Sequence, residues 1–162
     1  MNFWNFEDFW IGSIECQIVR FDIKSHKYIM IFNRLDTEMD LETLEDKARE
    51  LKTQYKFDSY KVTFDLQDNF DKETFYEPPM ERRGIAEIKE LGRIICEIIY
   101  AHYESVNAKA YFFLADNMSL KRFYDRLAVK YAARLGFKVI ANLGAEKSGY
   151  EIQTPIYQDT QV

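Results

Sequence analysis

The sequence predicts an α/β (α+β) fold: a single domain with a mixed sheet flanked by helices. Three observations carry that expectation. Short segments alternate apolar and polar residues, as half-buried strands do. The stretch PPMERRGIAEIKELGRIICEII, Pro78 to Ile99, sets Ile85, Ile88, Leu91, Ile95, Ile98 and Ile99 on one face at helical spacing. Tyr111 to Ala115 is then a continuous apolar run, the mark of a strand covered on both faces in the middle of a parallel sheet. A helix followed by a buried strand fits a right-handed crossover unit.

Composition sets bounds on the function. A chain of 162 residues supports one real core, and 47% hydrophobic with 16% aromatic residues excludes a disordered segment. A net charge of −5 argues against general affinity for nucleic acid or an anionic membrane, and leaves room only for a local basic patch. The apolar runs are far shorter than a membrane span, and no secretory signal opens the chain. Cys16 and Cys96 sit within apolar patterns, which predicts two buried free thiols and a cytoplasmic protein. His26 and His102 stand alone, without metal-ligand spacing, so no metal is expected.

The elements follow in order. Phe3, Trp4, Phe6, Phe9 and Trp10 crowd residues 1–12 and predict an aromatic arm docked on the core. Left exposed, Trp4 and Trp10 would instead serve a protein partner or a homodimer contact. Ile14, Cys16 and Ile18 alternate with polar residues, and the phase then slips to Val19, Phe21 and Ile23, which predicts a bulge. A turn at Lys24–Lys27 joins this strand to Tyr28–Phe32 as a hairpin. Thr37 or Asp40 caps a helix whose buried stripe is Leu41, Leu44, Ala48, Leu51 and Tyr55. Its early acids suit the helix dipole. Tyr60, Val62, Phe64 and Leu66 mark the next strand.

Asp68–Glu77 is expected to be a solvated loop, since its acids lack EF-hand spacing and the turn glycine; Thr74–Tyr76 adds a short strand before Pro78. After the apolar run, Asp116–Ser119 caps a helix with Leu120, Phe123, Tyr124, Leu127, Tyr131 and Leu135 on its apolar face. Gly136 closes that helix. Lys138–Ala141 and Tyr150–Thr154 form a final hairpin, and the tail, 155–162, is expected to be loose.

One pattern rises above these local signals. Glu81-Arg82-Arg83-Gly84-Ile85-Ala86 opens the central helix. Asn117 stands at the end of the buried strand, Phe123-Tyr124 follow within the next helix, and Gly136-Phe137 precede another strand. This order resembles the GNAT superfamily of acyl-CoA-dependent N-acetyltransferases across 78–154. Residues 13–77 depart from it: they read strand–strand–helix–strand where the family begins strand–helix–helix–strand, so this half is remodelled. Glu81 stands where the family carries Gln or Arg.

The resemblance implies a GNAT-like acyl-CoA N-acyltransferase fold, acetyl-CoA as cofactor, and a small-molecule or protein amine as acceptor. It implies that Arg82, Arg83, Gly84, Ile85 and Ala86 cradle the pyrophosphate, since a glycine at a helix mouth lets the unpaired amides approach an anion. It matches Asn117 to the asparagine that contacts the coenzyme arm, and Tyr124 to the tyrosine that protonates the departing thiolate. Glu77 or Glu73 is placed to be the base. Each residue also has a plain structural use: Gly84 in a turn, Asn117 as a cap, Tyr124 in the core. A non-catalytic interaction module of the same fold is the alternative. Its surface would be the aromatic N-terminus, or Arg122, Arg126, Lys130 and Arg134. That basic helix strip suits either solvation beside Asp125 or an acidic partner or nucleic-acid backbone.

Overall fold

The computed structural model describes residues 4–12, 14–35, 58–79, 83–144 and 146–159. The helix expected over 40–55 lies outside the described residues. Among the described residues seven strands form one sheet in the order β1-β2-β3-β4-β5-β7-β6. They are β1 (Glu7–Ile11), β2 (Ile14–Ile23), β3 (His26–Arg34), β4 (Ser59–Leu66), β5 (Ala110–Leu114), β6 (Lys138–Leu143) and β7 (Gly149–Gln153). The helices are α1 (Gln67–Lys72), α2 (Ile85–Val106), α3 (Met118–Tyr131) and α4 (Pro155–Asp159). The fold is therefore mixed α+β, with a mostly antiparallel sheet. Among the described residues no helix is long and apolar enough to cross a membrane.

The N-terminal arm is an edge strand. β1 pairs antiparallel with β2 through a turn at Gly12, whose φ of 61° is one that glycine adopts without a Cβ clash. Trp4 meets Phe21 edge-on, Phe6 meets Phe32, and Phe9 meets Phe70. Trp4 is thus docked on the core, whereas Trp10 is 62% exposed. The expected bulge in β2 is absent: its register with β3 runs unbroken from Cys16↔Asn33 to Ile23↔His26. Ile18 and Val19 point to opposite faces of the sheet and both are buried, so the apolar phase slip records two covered faces.

The stretch after β4 is also more ordered than an acidic loop. One oxygen of Asp65 accepts from the Leu66 amide and from Asn69 Nδ2, each at 2.8 Å. Its other oxygen accepts from the Tyr76 amide at 2.8 Å. These bonds fold α1 and the turn after it back onto the end of β4. No strand forms at Thr74–Tyr76, because the Tyr76 amide is committed to Asp65 and Tyr76 has a φ of 62°. α3 ends at Tyr131, followed by a 3-10 turn over Ala133–Leu135, with Gly136 closing at φ 75°. The tail is not loose at its start: Pro155–Asp159 is helical, anchored by Thr154 Oγ1 donating to the Ala108 carbonyl at 2.7 Å.

The core lies between the sheet and α2 with α3. Leu91, Ile94, Ile95, Ile98 and Ile99 of α2 meet Val19, Phe21, Met30, Phe32, Val62 and Tyr111. Each such aliphatic side chain contributes about 1.5–3 kcal/mol by leaving water. Gly92 lets α3 approach α2 closely, since a Cβ there would sit 2.6 Å from Leu127 Cδ2. Ile85, assigned to the buried stripe from sequence, is instead 77% exposed.

β4 and β5 are the parallel pair. They are in register at Ser59↔Ala110, Tyr60↔Tyr111 and Lys61↔Phe112. β4 then continues to Leu66 and β5 to Leu114 without further pairing between them. The ring of Tyr124 fits at this parting, 6.1 Å from Phe64 on β4 and 5.2 Å from Phe113 on β5. The sheet forks toward the C-terminal ends of its two parallel strands, where ligands bind in open α/β sheets.

Candidate functional site

A groove of about 720 Å³ opens at the fork. Phe64 and Asp65 of β4, Tyr76 and Glu77, Arg83 at the mouth of α2, and Asn117, Arg122 and Arg126 around the start of α3 all line it. Chain positions far apart in sequence thus converge on one opening. Two helix N-termini, those of α2 and α3, stand beside it.

The two mouths are capped differently. Asn117 is the N-cap of α3 and its side chain accepts from the Leu120 amide at 2.8 Å, so part of its polarity is spent on the helix. Gly84 is the N-cap of α2 and has no side chain to offer. Its φ is −79°, an ordinary value, and a Cβ built there meets nothing within 4 Å. Gly84, Ile85 and Ala86 are exposed. The first amides of a helix have no intrahelical acceptor, so this mouth presents donors and open space.

Arg83 does not point freely outward. Its Nε donates to the Tyr28 hydroxyl at 2.8 Å and its guanidinium lies 5.5 Å from the Tyr28 ring centre. Tyr28 in turn donates to Glu87 Oε2 at 2.7 Å. His26 Nδ1 meets the same oxygen at 2.6 Å, and Arg83 stands 4.0 Å from it. Burial alone would raise the Glu87 carboxyl's pKa; the hydrogen bonds from Tyr28 and His26, with the charges of His26 and Arg83, outweigh it and hold the group below its usual value. Burial, with Glu87 as neighbour, pushes the Tyr28 hydroxyl up to about 12. The result is a part-buried ionic cluster around the buried Glu87 carboxylate that ties the β2–β3 turn to the first turn of α2.

Sequence reasoning missed this cluster, although one signal for Glu87 was present. Glu87, Leu91, Ile95 and Ile98 fall on one helical face, so the buried stripe begins with a carboxylate and leaves Ile85 outside. The partners His26 and Tyr28 carry no comparable signal.

The other expected site residues divide. Glu77 is exposed and lines the groove; Glu73 is exposed and closes α1 at φ 57°. Arg82 and Glu81 lie outside the described residues. Tyr124 is buried, its ring among Phe64, Phe113, Phe123 and Tyr150, and is not among the groove's lining. Desolvation pushes its hydroxyl well above the ordinary tyrosine value, with Tyr76, Asp116, Tyr150 and Asp65 adding to the effect.

The basic strip winds around α3. A four-residue step overshoots a 3.6-residue turn by about 40°. Arg122 and Arg126 face the groove, Lys130 lies 5.3 Å from the Tyr131 ring, and Arg134, past the helix end, lines a different groove beside Trp4 and Tyr100. Among the described residues no group of three or more His, Cys, Asp or Glu side chains is placed to hold a metal ion.

No protein family, no curated protein and no solved structure matches this chain.

Proposed function

We propose that the chain is a GNAT-like N-acetyltransferase that takes acetyl-CoA at the β4–β5 fork and passes the acetyl group to a small-molecule or protein amine. The observation that carries this is the fork itself. The parallel pair separates after Lys61↔Phe112, and the open mouth of α2 stands at the separation with Arg83, Arg122 and Arg126 on the same groove. Helix-mouth amides and arginines together suit a diphosphate. The Ile85 and Ala86 amides and the exposed Gly84 would hold it, with Arg122 and Arg126 as further cations. Bound acetyl-CoA supplies an activated thioester; the chain supplies its orientation. Glu77, exposed at the groove, is the carboxylate that takes a proton from the acceptor amine.

The burial of Tyr124 favours a second reading, a non-catalytic member of the same fold that acts as a protein- or nucleic-acid-binding module. Calorimetry with acetyl-CoA separates the readings. Gly84→Glu is the matched variant: the ordinary φ and the open space at Gly84 mean a side chain there leaves the fold intact while placing a negative charge in the cradle. Binding near micromolar that Gly84→Glu weakens at least about tenfold supports the cradle. No heat with millimolar ligand excludes it.

A further inference from the structure

We propose that Arg83 is the arm of the groove that holds an anion, aimed by Tyr28 and Glu87, and that an anion on it draws a proton onto His26. This coupling rests on the groove taking an anion, and not on that anion being acetyl-CoA. Arg83 belongs to two places at once: it lines the groove, and it stands against the ionic cluster behind the mouth of α2. Its Nε donates to the Tyr28 hydroxyl at 2.8 Å, and its two Nη nitrogens have no hydrogen-bond partner among the described residues. A guanidinium held at Nε keeps that pair as a fork, the geometry that suits a phosphate or carboxylate. Behind Arg83 the chain of bonds continues. The Tyr28 hydroxyl donates to Glu87 Oε2 at 2.7 Å, and His26 Nδ1 donates to the same oxygen at 2.6 Å. A carboxylate three residues past the N-cap commonly turns back to cap its own helix. Glu87 is turned to β3 instead, where it orders the residue that orders Arg83.

Charge balance links the two ends of this chain of bonds. One buried carboxylate, Glu87, is served by two groups that can carry positive charge, Arg83 at 4.0 Å and His26 at 2.6 Å. An anion on the Nη pair takes up the Arg83 charge, and Glu87 then gains more from a protonated His26. Without the anion a second ring proton has less to gain. His26 Nε2 is buried and has no partner, so a proton there leaves a donor unmet. The groups that face His26 are Glu87 and Arg83 from α2 and, from its own strand, Tyr28, whose ring centre is 6.5 Å away. Asp22, Lys24 and Lys27, around the turn, are exposed to water. By linkage the effect is mutual, so a proton on His26 tightens the hold on the anion. His26, Tyr28 and Glu87 are positioning residues, since none of them is among the groove's lining.

Inorganic pyrophosphate is the probe. Its dissociation constant is measured by calorimetry on the full chain at pH 6 and pH 8, for the wild type, His26→Gln and Arg83→Gln. Histidine changes charge in this window, and the probe's own protonation is common to all three proteins and cancels in their ratios. Arg83→Gln is expected to bind at least about tenfold more weakly than the wild type. His26→Gln keeps a donor for Glu87 but cannot change charge. It should match the wild type at pH 8 and bind about threefold more weakly at pH 6. The ratio of Arg83→Gln to wild type should likewise be about threefold larger at pH 6 than at pH 8, a readout that needs no His26 variant. No binding to the wild type at millimolar pyrophosphate overturns the coupling, as does an unchanged affinity in Arg83→Gln, or ratios that are the same at both pH values. Calorimetry with acetyl-CoA on the wild type tests the coenzyme separately. The expected pyrophosphate ratios without acetyl-CoA binding leave the coupling and remove the coenzyme; acetyl-CoA binding without those ratios does the reverse.

Discussion

Each end of α2 sets a histidine beside a tyrosine, with opposite results. At the N-terminal end His26 stands 2.6 Å from the Glu87 carboxylate, with Arg83 nearby. At the C-terminal end His102 sits in an aromatic box. Its ring is stacked on Phe32 at 4.1 Å, and Tyr60, Phe6 and Tyr111 meet it edge-on. Nε2 donates to Gln17 Oε1 at 2.6 Å, and Nδ1 accepts from the Tyr111 hydroxyl at 2.8 Å. Those bonds satisfy a neutral imidazole, and burial lowers its pKa to about 3. The fold keeps the Glu87 carboxylate buried and ionised at the N-terminal end of α2 and removes charge at the C-terminal end. A buried charge is costly unless paired, and Tyr28, His26 and Arg83 supply that pairing for Glu87.

The largest expected effect comes from breaking the charged end. Glu87→Ala leaves the Tyr28 hydroxyl and His26 Nδ1 without their partner inside the protein and removes the charge facing Arg83, and a cost of about 3–5 kcal/mol is expected from a broken buried pair. Urea denaturation followed by circular dichroism reads it. Glu87→Gln, which keeps an acceptor oxygen for Tyr28, should cost about half as much. If both variants lose less than about 1 kcal/mol, the cluster is no more than a surface ion pair in its energetics.

The neutral end has its own signature, in pH. The folded pKa of His102 is depressed to about 3 from 6.5, so its contribution to stability is complete above pH 6.5 and is lost as pH falls toward 3. In that window the unfolded chain binds a proton that the folded one refuses. The Glu87 carboxyl, also held below its ordinary value of 4.5, loses stability only below that pH. Between pH 6.5 and 4.5 the slope therefore belongs to His102, with a loss of about 2–3 kcal/mol across the window. His102→Gln should flatten this limb and leave the steeper fall below pH 4.5. An unchanged slope in that variant would show that His102 is protonated within its box.

The contrast between the ends also explains what the sequence could disclose. Periodicity located β4, β5, α2, α3 and the last hairpin, because each buries a regular stripe that its own residues spell out. It misread Ile18–Val19, since two covered faces imitate a bulge. It misread Asp68–Glu77, where Asp65 gathers three donors and makes a turn from what looks like solvated polarity. The groove was half legible: Asn117 and Glu77 carry local signals, and Arg122 and Arg126 share a spacing. His26, Tyr28 and Glu87 meet only through the register of β3 against the first turn of α2, and no local pattern records such a meeting. The fork was illegible for the same reason, since strand parting is a property of pairing and not of either strand.

The smallest effect sharpens the comparison most finely, by removing one hydroxyl from each end. Tyr28→Phe deletes a donor to a carboxylate and an acceptor for Arg83. Tyr111→Phe deletes a hydroxyl that faces a neutral imidazole nitrogen. Both rings are fully buried and keep their packing, so the difference isolates the hydrogen bonds. Bonds to charged groups contribute about 1.5–3 kcal/mol and neutral ones about 0.5–1.5. Tyr28→Phe should therefore be the costlier change by about 1 kcal/mol in matched urea titrations. The gap should close as pH falls through the lowered pKa of Glu87, where the carboxylate takes up a proton and its bond to Tyr28 becomes a neutral one. Equal costs at pH 7 would mean that the Glu87 carboxylate shares its charge with solvent. The two ends of α2 would then differ in composition but not in energy.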